Sequence, residues 1–208
     1  MRNMFKNVHS KRFLLTYLGL VAILLLFYLS MNQQQDALQP ESESYSMLTV
    51  LQPAVKIPQL LAHTTDNSVF TNATLTGKWT FVFMPAADCS DCEAIIRVLS
   101  NLKAGLANRS IQVALIDTSG DNAAWLSELN RTYHLQAQVM TLSGEHSERQ
   151  SWRAFFHDFS VRSPQALNET VFLINPKGLL MARYQAPFTS VLMRQGFIQL
   201  RKDYATNS

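Results

Sequence analysis

A CxxC pair set between a strand and a helix constrains this chain more than any other stretch. Trp79 to Met84 is an apolar run, bounded by Gly77-Lys78 on one side and Pro85-Ala86-Ala87-Asp88 on the other. Cys89-Ser90-Asp91-Cys92 follows, and Glu93 to Leu106 repeats its apolar residues at helical spacing. Strand, loop, cysteine pair and helix form one unit. Its order predicts the first thiol at a helix N-terminus, where unpaired N–H groups and the helix dipole stabilise a thiolate. The chain has two cysteines in all, so thiol chemistry has one address.

The N-terminus carries a different signal. Phe13 to Leu29 is 17 residues without a charge, near the lower limit for crossing a bilayer. Residues 1–12 hold Arg2, Lys6, Lys11 and Arg12 and no acid. The positive-inside rule then places the N-terminus in the cytoplasm and the rest of the chain on the far side. A cleaved signal peptide is the rival reading, but Met31-Asn32-Gln33-Gln34-Gln35 offers no small-x-small cleavage site. The expected organisation is a basic tail over 1–12, a transmembrane anchor over 13–30, a polar flexible tether over 31–46 and a globular domain over 47–208. A plain anchor, without the Arg/Ser-rich composition of a transit peptide, points to a bacterial inner membrane with the domain in the periplasm.

Without the tail, 14 basic residues face 15 acidic ones. The basic character of the whole chain therefore belongs to its first residues, and no basic patch argues for nucleic acid. No phosphate loop, zinc quartet or serine–histidine constellation is present.

Within the domain, Met47 to Ile57, punctuated by Pro53 and Pro58, reads as an edge strand. A short strand from Leu60, a turn over Thr64 to Ser68 and Val69-Phe70 predict an entry hairpin. Beyond the CxxC helix, Ile111 to Ile116 reads as a buried parallel strand. A helix over Ala123 to Tyr133 follows, with Asp121 or Asn122 as its expected cap. Gln138 to Leu142 predicts a strand. Ser147 to Phe159 predicts a helix whose Trp152, Phe155, Phe156 and Phe159 form a core-facing stripe. Thr170 to Ile174 is a third buried strand, Asn175-Pro176-Lys177-Gly178 a turn, Leu179 to Tyr184 its hairpin partner, and Thr189 to Lys202 a final helix. Strands alternating with helices predict an α/β fold, a central mixed sheet with helices on both faces. With CxxC after the first central strand, the expected class is thioredoxin-like.

The chain also resembles a known family. Thr74-Leu75-Thr76-Gly77-Lys78-Trp79-Thr80-Phe81-Val82-Phe83 is similar to the approach to the cysteines in the SCO/SenC proteins of cytochrome c oxidase assembly. Thr141-Leu142-Ser143-Gly144 with Phe155 to Val161 resembles a second stretch of that family. Phe172 to Gly178 with Ala182-Arg183-Tyr184 resembles its "Y-L-I-D-P-x-G … A-R-Y" ending. The resemblance implies a thioredoxin-like domain on an N-terminal anchor, a role in oxidase copper-site assembly and a cysteine-containing partner, such as an oxidase subunit or a copper chaperone. Two departures accompany it. The family's CxxxC is CxxC here, and the position of its copper-binding histidine, eight residues before Asn175, is Leu167. Nor does the chain have the proline that precedes the corresponding strand in thioredoxin itself, where Glu169 and Thr170 stand.

Cys89 and Cys92 support three uses. As a redox couple, Cys89 is the exposed attacking thiolate and Cys92 the resolving thiol. Asp88 and Asp91 oppose a strongly lowered pKa, because carboxylates disfavour a second negative charge. As a metal site, two thiolates suit Cu(I), and a third ligand would come from His63, His134, His146 or His157. As a staple, the pair closes so short a loop that it stabilises little. The favoured expectation is thiol–disulfide exchange with no required cofactor. Cu(I) binding and transfer is the alternative, and a non-catalytic assembly scaffold the third reading. Asp117 with Asp121 reads as turn and cap chemistry. Asn72, Asn108, Asn130 and Asn168 each open an N-x-S/T sequon.

Overall fold

The computed structural model describes residues 47–86, 89, 91–107, 110–143, 146–160 and 166–206, together with residue 21. Apart from residue 21, the expected tail, anchor and tether lie outside the described residues. Among the described residues, no helix is long and apolar enough to cross a membrane.

Eight strands follow in chain order: β1 (Leu48–Lys56), β2 (Leu61–Thr64), β3 (Val69–Thr71), β4 (Trp79–Phe83), β5 (Ile111–Asp117), β6 (Gln138–Leu142), β7 (Thr170–Ile174) and β8 (Leu179–Gln185). Among the described residues the α-helices that accompany them are α1 (Cys92–Gly105), α2 (Ala123–Thr132), α3 (His146–Asp158) and α4 (Ser190–Thr206). Short 3-10 helices occupy Asn72–Leu75 and Ala166–Glu169. The described strands form one sheet in the order β1-β8-β7-β4-β5-β6-β2-β3. Strands β4, β5 and β6 run parallel, while β7 and β8 run antiparallel to their neighbours.

The centre of the sheet is its most apolar part because both its faces are covered. All five residues of β4 and all five of β7 are buried. Side chains alternate between the faces. Trp79, Phe81 and Phe83 join Val113, Leu115, Val171, Leu173 and Tyr184 under α1, α2 and α4. Val82 and Met84 join Ala114, Ile116, Phe172 and Ile174 under α3 and the N-terminal hairpin. The expected aromatic stripe of α3 is the seam of that second layer. Trp152 and Phe156 are buried, Phe155 and Phe159 pack beside them, and Phe156 stacks edge-on against Phe172 at 4.8 Å.

Gln112 and Asn175 find partners where they are buried, whereas the Tyr184 hydroxyl is buried without a hydrogen-bond partner among the described residues. Gln112 donates to the Thr80 hydroxyl at 2.8 Å and to the Thr74 carbonyl at 3.2 Å. The Asn175–Gly178 turn closes through the Asn175 side chain, which accepts from the Lys177 and Leu179 N–H groups, each at 3.0 Å. Gly178 sits there at φ +77°, a conformation open to glycine at little cost.

Two features differ from the sequence expectation. Strand β1 and the β2–β3 hairpin, contiguous in sequence, lie at opposite edges of the sheet, β1 on β8 and β2 on β6. The side chains of Asp121 and Asn122 do not cap α2. Asn122 stands at the cap position, but its amide donates to the Ser119 hydroxyl at 3.1 Å and its own N–H donates to Asp117 at 2.8 Å. The buried carboxylate of Asp117 draws the loop inward, and helical bonding begins with the Asn122 carbonyl, which accepts from Leu126 at 2.9 Å.

Candidate functional site

The site forms where β4 ends. Its apolar residues commit the chain to the middle of the sheet, Pro85 stops the ladder, and the chain turns to enter α1 at Cys92. Cys89 and Cys92 form a disulfide, with Cα atoms 5.5 Å apart. Cys92 is fully buried beneath the first turn of α1, whereas Cys89 is half-buried at the edge of the same layer. Cys89, expected to be the exposed sulfur of the pair, is thus the outer one but only half-exposed. Asp91, at the cap position, makes no side-chain cap bond, and its carbonyl accepts the Ile95 N–H at 3.1 Å. The first-turn N–H groups of α1 therefore receive no oxygen from Asp91 and can act on sulfur.

Two acidic side chains qualify that stabilisation. Asp91 is exposed at the helix start, and Glu93 follows Cys92 in the first turn. Tyr133, at the end of α2, donates its hydroxyl to Glu93, and that bond holds the phenol pKa above its ordinary value. The Arg97 guanidinium lies 5.8 Å from the centre of the Tyr133 ring.

The approach to Cys89 is held from across the sheet. Asn168, in the 3-10 helix that leads into β7, is buried, and its side-chain oxygen accepts the Ala86 N–H at 2.6 Å. The Ala86 carbonyl in turn accepts the Cys89 N–H at 3.3 Å. This role of Asn168 was not legible in the sequence, where the residue stood out only as the first of a sequon.

The neighbouring loop, after β5, ends at the same edge because β4 and β5 are parallel. Asp117 is fully buried there and accepts from the N–H groups of Ser119, Gly120 and Asn122 and from the Ser119 hydroxyl, at 2.7–3.0 Å. Burial pushes its pKa up, but these hydrogen bonds outweigh it and hold the carboxyl below its ordinary value. Asp117 is turn chemistry, as expected, while Asp121 is exposed.

The histidines considered as metal ligands are not gathered at the cysteines. His63 is exposed on β2, three strands from β4. His134 is exposed after α2, and His157 is exposed in the last turn of α3. His146 opens α3, and its side chain lies outside the described residues. Leu167, eight residues before Asn175, is buried in the apolar layer with Phe156 and Phe172. Among the described residues, no three His, Cys, Asp or Glu side chains are grouped to hold a metal. Among the described residues the donor set at the cysteines is two sulfurs, which fits Cu(I) in kind. The sequon residues have structural partners. Asn72 bonds to the Pro58–Leu60 backbone, Asn130 to both backbone groups of Ala137, and Asn168 to Ala86, while Asn108 lies outside the described residues.

No protein-family model matches the sequence, and no curated protein matches it. Solved structures match it by shape. Yeast Sco1 with copper bound superposes with a TM-score of 0.58 at 15% identity, over 72% of this chain and 94% of that one. BsSco, a member of the Sco family of cytochrome c oxidase assembly proteins in which a disulfide switch was identified, gives 0.57 at 15% identity, over 75% and 96%. A thiol:disulfide interchange protein of the thioredoxin family from Chlorobium tepidum gives 0.53 at 18% identity, over 68% and 92%. The chain has the thioredoxin-like α/β fold that Sco proteins and thioredoxin-family interchange proteins share.

Proposed function

We propose that this chain is a membrane-anchored thiol–disulfide exchange protein that serves the assembly of the copper site of cytochrome c oxidase. It would keep the copper-binding cysteines of a partner reduced. One observation carries the reading: a disulfide between a half-buried Cys89 and a fully buried Cys92 at the start of α1. An outer sulfur that a partner can reach and an inner one that resolves is the arrangement that exchange requires. The family resemblance and the Sco and interchange-protein neighbours supply the oxidase context, and residues 13–30 and 31–46 would supply anchor and tether on the periplasmic side.

In the reduced chain, the Cys89 thiolate attacks one sulfur of the partner's disulfide, forming a mixed disulfide and releasing a partner thiolate. Cys92, losing its proton to solvent, then attacks the Cys89 sulfur and releases the second partner thiolate. The partner gains two electrons and two protons, and this chain ends with its Cys89–Cys92 disulfide. An upstream thiol reductant of the same compartment must reset it.

Incubating the reduced full-length chain with a peptide that contains an oxidised cysteine pair tests the reading. Free peptide thiols should appear in step with the Cys89–Cys92 disulfide, and a peptide that stays oxidised would overturn it.

The second reading is Cu(I) binding and transfer, favoured by the neighbour solved with copper bound. Anaerobic titration against a strong Cu(I) chelator discriminates. Tight one-to-one binding that is lost in a Cys89→Ser/Cys92→Ser chain supports copper transfer, whereas copper left on the chelator removes that reading.

A further inference from the structure

The Asn168 contact has a meaning beyond packing. We infer that Asn168 is a positioning residue for Cys89, acting through the peptide of Ala86, an inference that rests on the exchange chemistry proposed above. Ala86 is held at both ends. Its N–H donates to Asn168 at 2.6 Å, and its carbonyl accepts the Cys89 N–H at 3.3 Å. Among the described residues, these bonds and the disulfide tie Cys89 to the rest of the molecule. Once the disulfide opens, nothing covalent joins Cys89 to the helix except the two residues between the cysteines. The Ala86 bridge then has to keep the Cys89 backbone where its sulfur meets the first-turn N–H groups of α1.

The anchor itself is well founded. Asn168 is buried, and the Ala166–Glu169 turn that bears it continues directly into β7. That strand is flanked by β4 and β8. On its other side the turn is pinned where the Glu169 carbonyl accepts the Ala186 N–H at 2.8 Å. A fixed acceptor just ahead of a central strand thus reaches the loop that carries the outer sulfur. The neighbouring side chain, Leu167, packs into the core and cannot serve as an alternative acceptor.

The chemistry predicts separable effects for two substitutions. Asn168→Ala removes the acceptor and frees the Ala86 peptide, so the Cys89 sulfur spends less time at the helix N-terminus. Its pKa should rise toward that of an ordinary cysteine, about 8.5. Asn168→Asp keeps an acceptor oxygen for Ala86 but brings a carboxylate into the same buried place. It should hold the loop and still raise the Cys89 pKa through charge.

The experiment uses the full-length reduced chain. Carbamidomethylation of Cys89 is followed against pH by peptide mass spectrometry, alongside the exchange rate with an oxidised cysteine-pair peptide and the thermal midpoint. For Asn168→Ala, an upward shift of the Cys89 alkylation profile and roughly tenfold slower exchange at pH 7 are expected, with the oxidised protein still folded. Asn168→Asp should retain a midpoint nearer wild type while shifting the profile in the same direction. If Asn168→Ala matches the wild-type profile and rate, whatever its midpoint, the inference is overturned and Asn168 is only structural. If the wild-type chain exchanges with no peptide while its alkylation profile still moves with Asn168→Ala, the positioning role stands and the exchange function fails.

Discussion

The loops after β4 and β5 leave the sheet at the same edge and both enter helices, but they are held in different ways. The β5 loop is closed by a carboxylate. Buried Asp117 gathers three backbone N–H groups and a hydroxyl, and no change of redox state touches those bonds. The β4 loop is closed by a bond that can be broken, the Cys89–Cys92 disulfide, with the Asn168–Ala86 contact behind it. Adjacent parallel strands thus end in one loop that reduction leaves closed and one whose crosslink reduction opens. The contrast teaches that the fold separates rigidity from reactivity by a single strand spacing.

The largest expected effect lies in the loop that opens. Cys89→Ser should abolish exchange with an oxidised peptide altogether and leave the thermal midpoint close to that of the reduced wild type. Residual exchange through Cys92 alone would break the assignment of Cys89 as the attacking sulfur.

Next comes the loop that stays. Asp117→Ala removes a buried charged acceptor of four hydrogen bonds and should cost roughly 3 kcal/mol in denaturant unfolding. Because the folded Asp117 pKa lies below its unfolded value, its stabilisation is complete above about pH 4 and is lost as pH falls through the folded pKa. The wild-type chain should therefore lose stability on the acid side more steeply than Asp117→Ala. Parallel acid profiles for the two would contradict the role given to this carboxylate. The variant's Cys89 alkylation profile should not move.

Reducing the disulfide should matter less. A crosslink spanning three residues of sequence separation restrains the unfolded chain by about 2 kcal/mol on the chain-entropy relation. Denaturant unfolding with and without a thiol reductant measures it. A loss much larger than this would make the pair a structural staple and erase the contrast between the loops. The smallest effect belongs far from both loops. In Gly196→Ala the new Cβ would lie 2.9 Å from the end of Leu48 and 3.6 Å from the Tyr184 ring. The crowding costs about 1–3 kcal/mol, and helix propensity returns about 1. The midpoint should fall slightly while both loops keep their chemistry.

Much of this was legible in the sequence because local pattern governs it. The apolar run of β4, the cysteine spacing and the periodicity of Glu93–Leu106 specify a strand–thiol–helix unit without distant information. The turn at Asn175–Gly178 and the α3 stripe are equally local. What escaped was non-local. Thr170–Ile174 reads the same whether parallel or antiparallel to β4, since a strand buried on both faces has no directional pattern. Nothing in Met47–Thr71 says that β1 and the β2–β3 hairpin separate to opposite edges, because pairing partners are chosen across the whole sheet. Asn122 looked like a cap because its residue type favours that role, but a buried carboxylate five residues earlier took its N–H. Asn168 was hidden most fully. It meets Ala86 across 82 residues of chain, and in sequence it stood out only as the first residue of a sequon.

The central claim is that Cys89 and Cys92 form an exchangeable couple. The most direct test is the redox equilibrium of the full-length chain with reduced and oxidised glutathione, read by alkylation and mass spectrometry. The acidic side chains of Asp91 and Glu93 beside the helix start disfavour a second negative charge. The couple should therefore titrate reversibly at a potential more reducing than the strongest disulfide oxidants, near about −120 mV, yet above the range of structural disulfides, below about −300 mV. A pair that stays oxidised at every attainable glutathione ratio, or one as oxidising as those strong oxidants, would contradict the account.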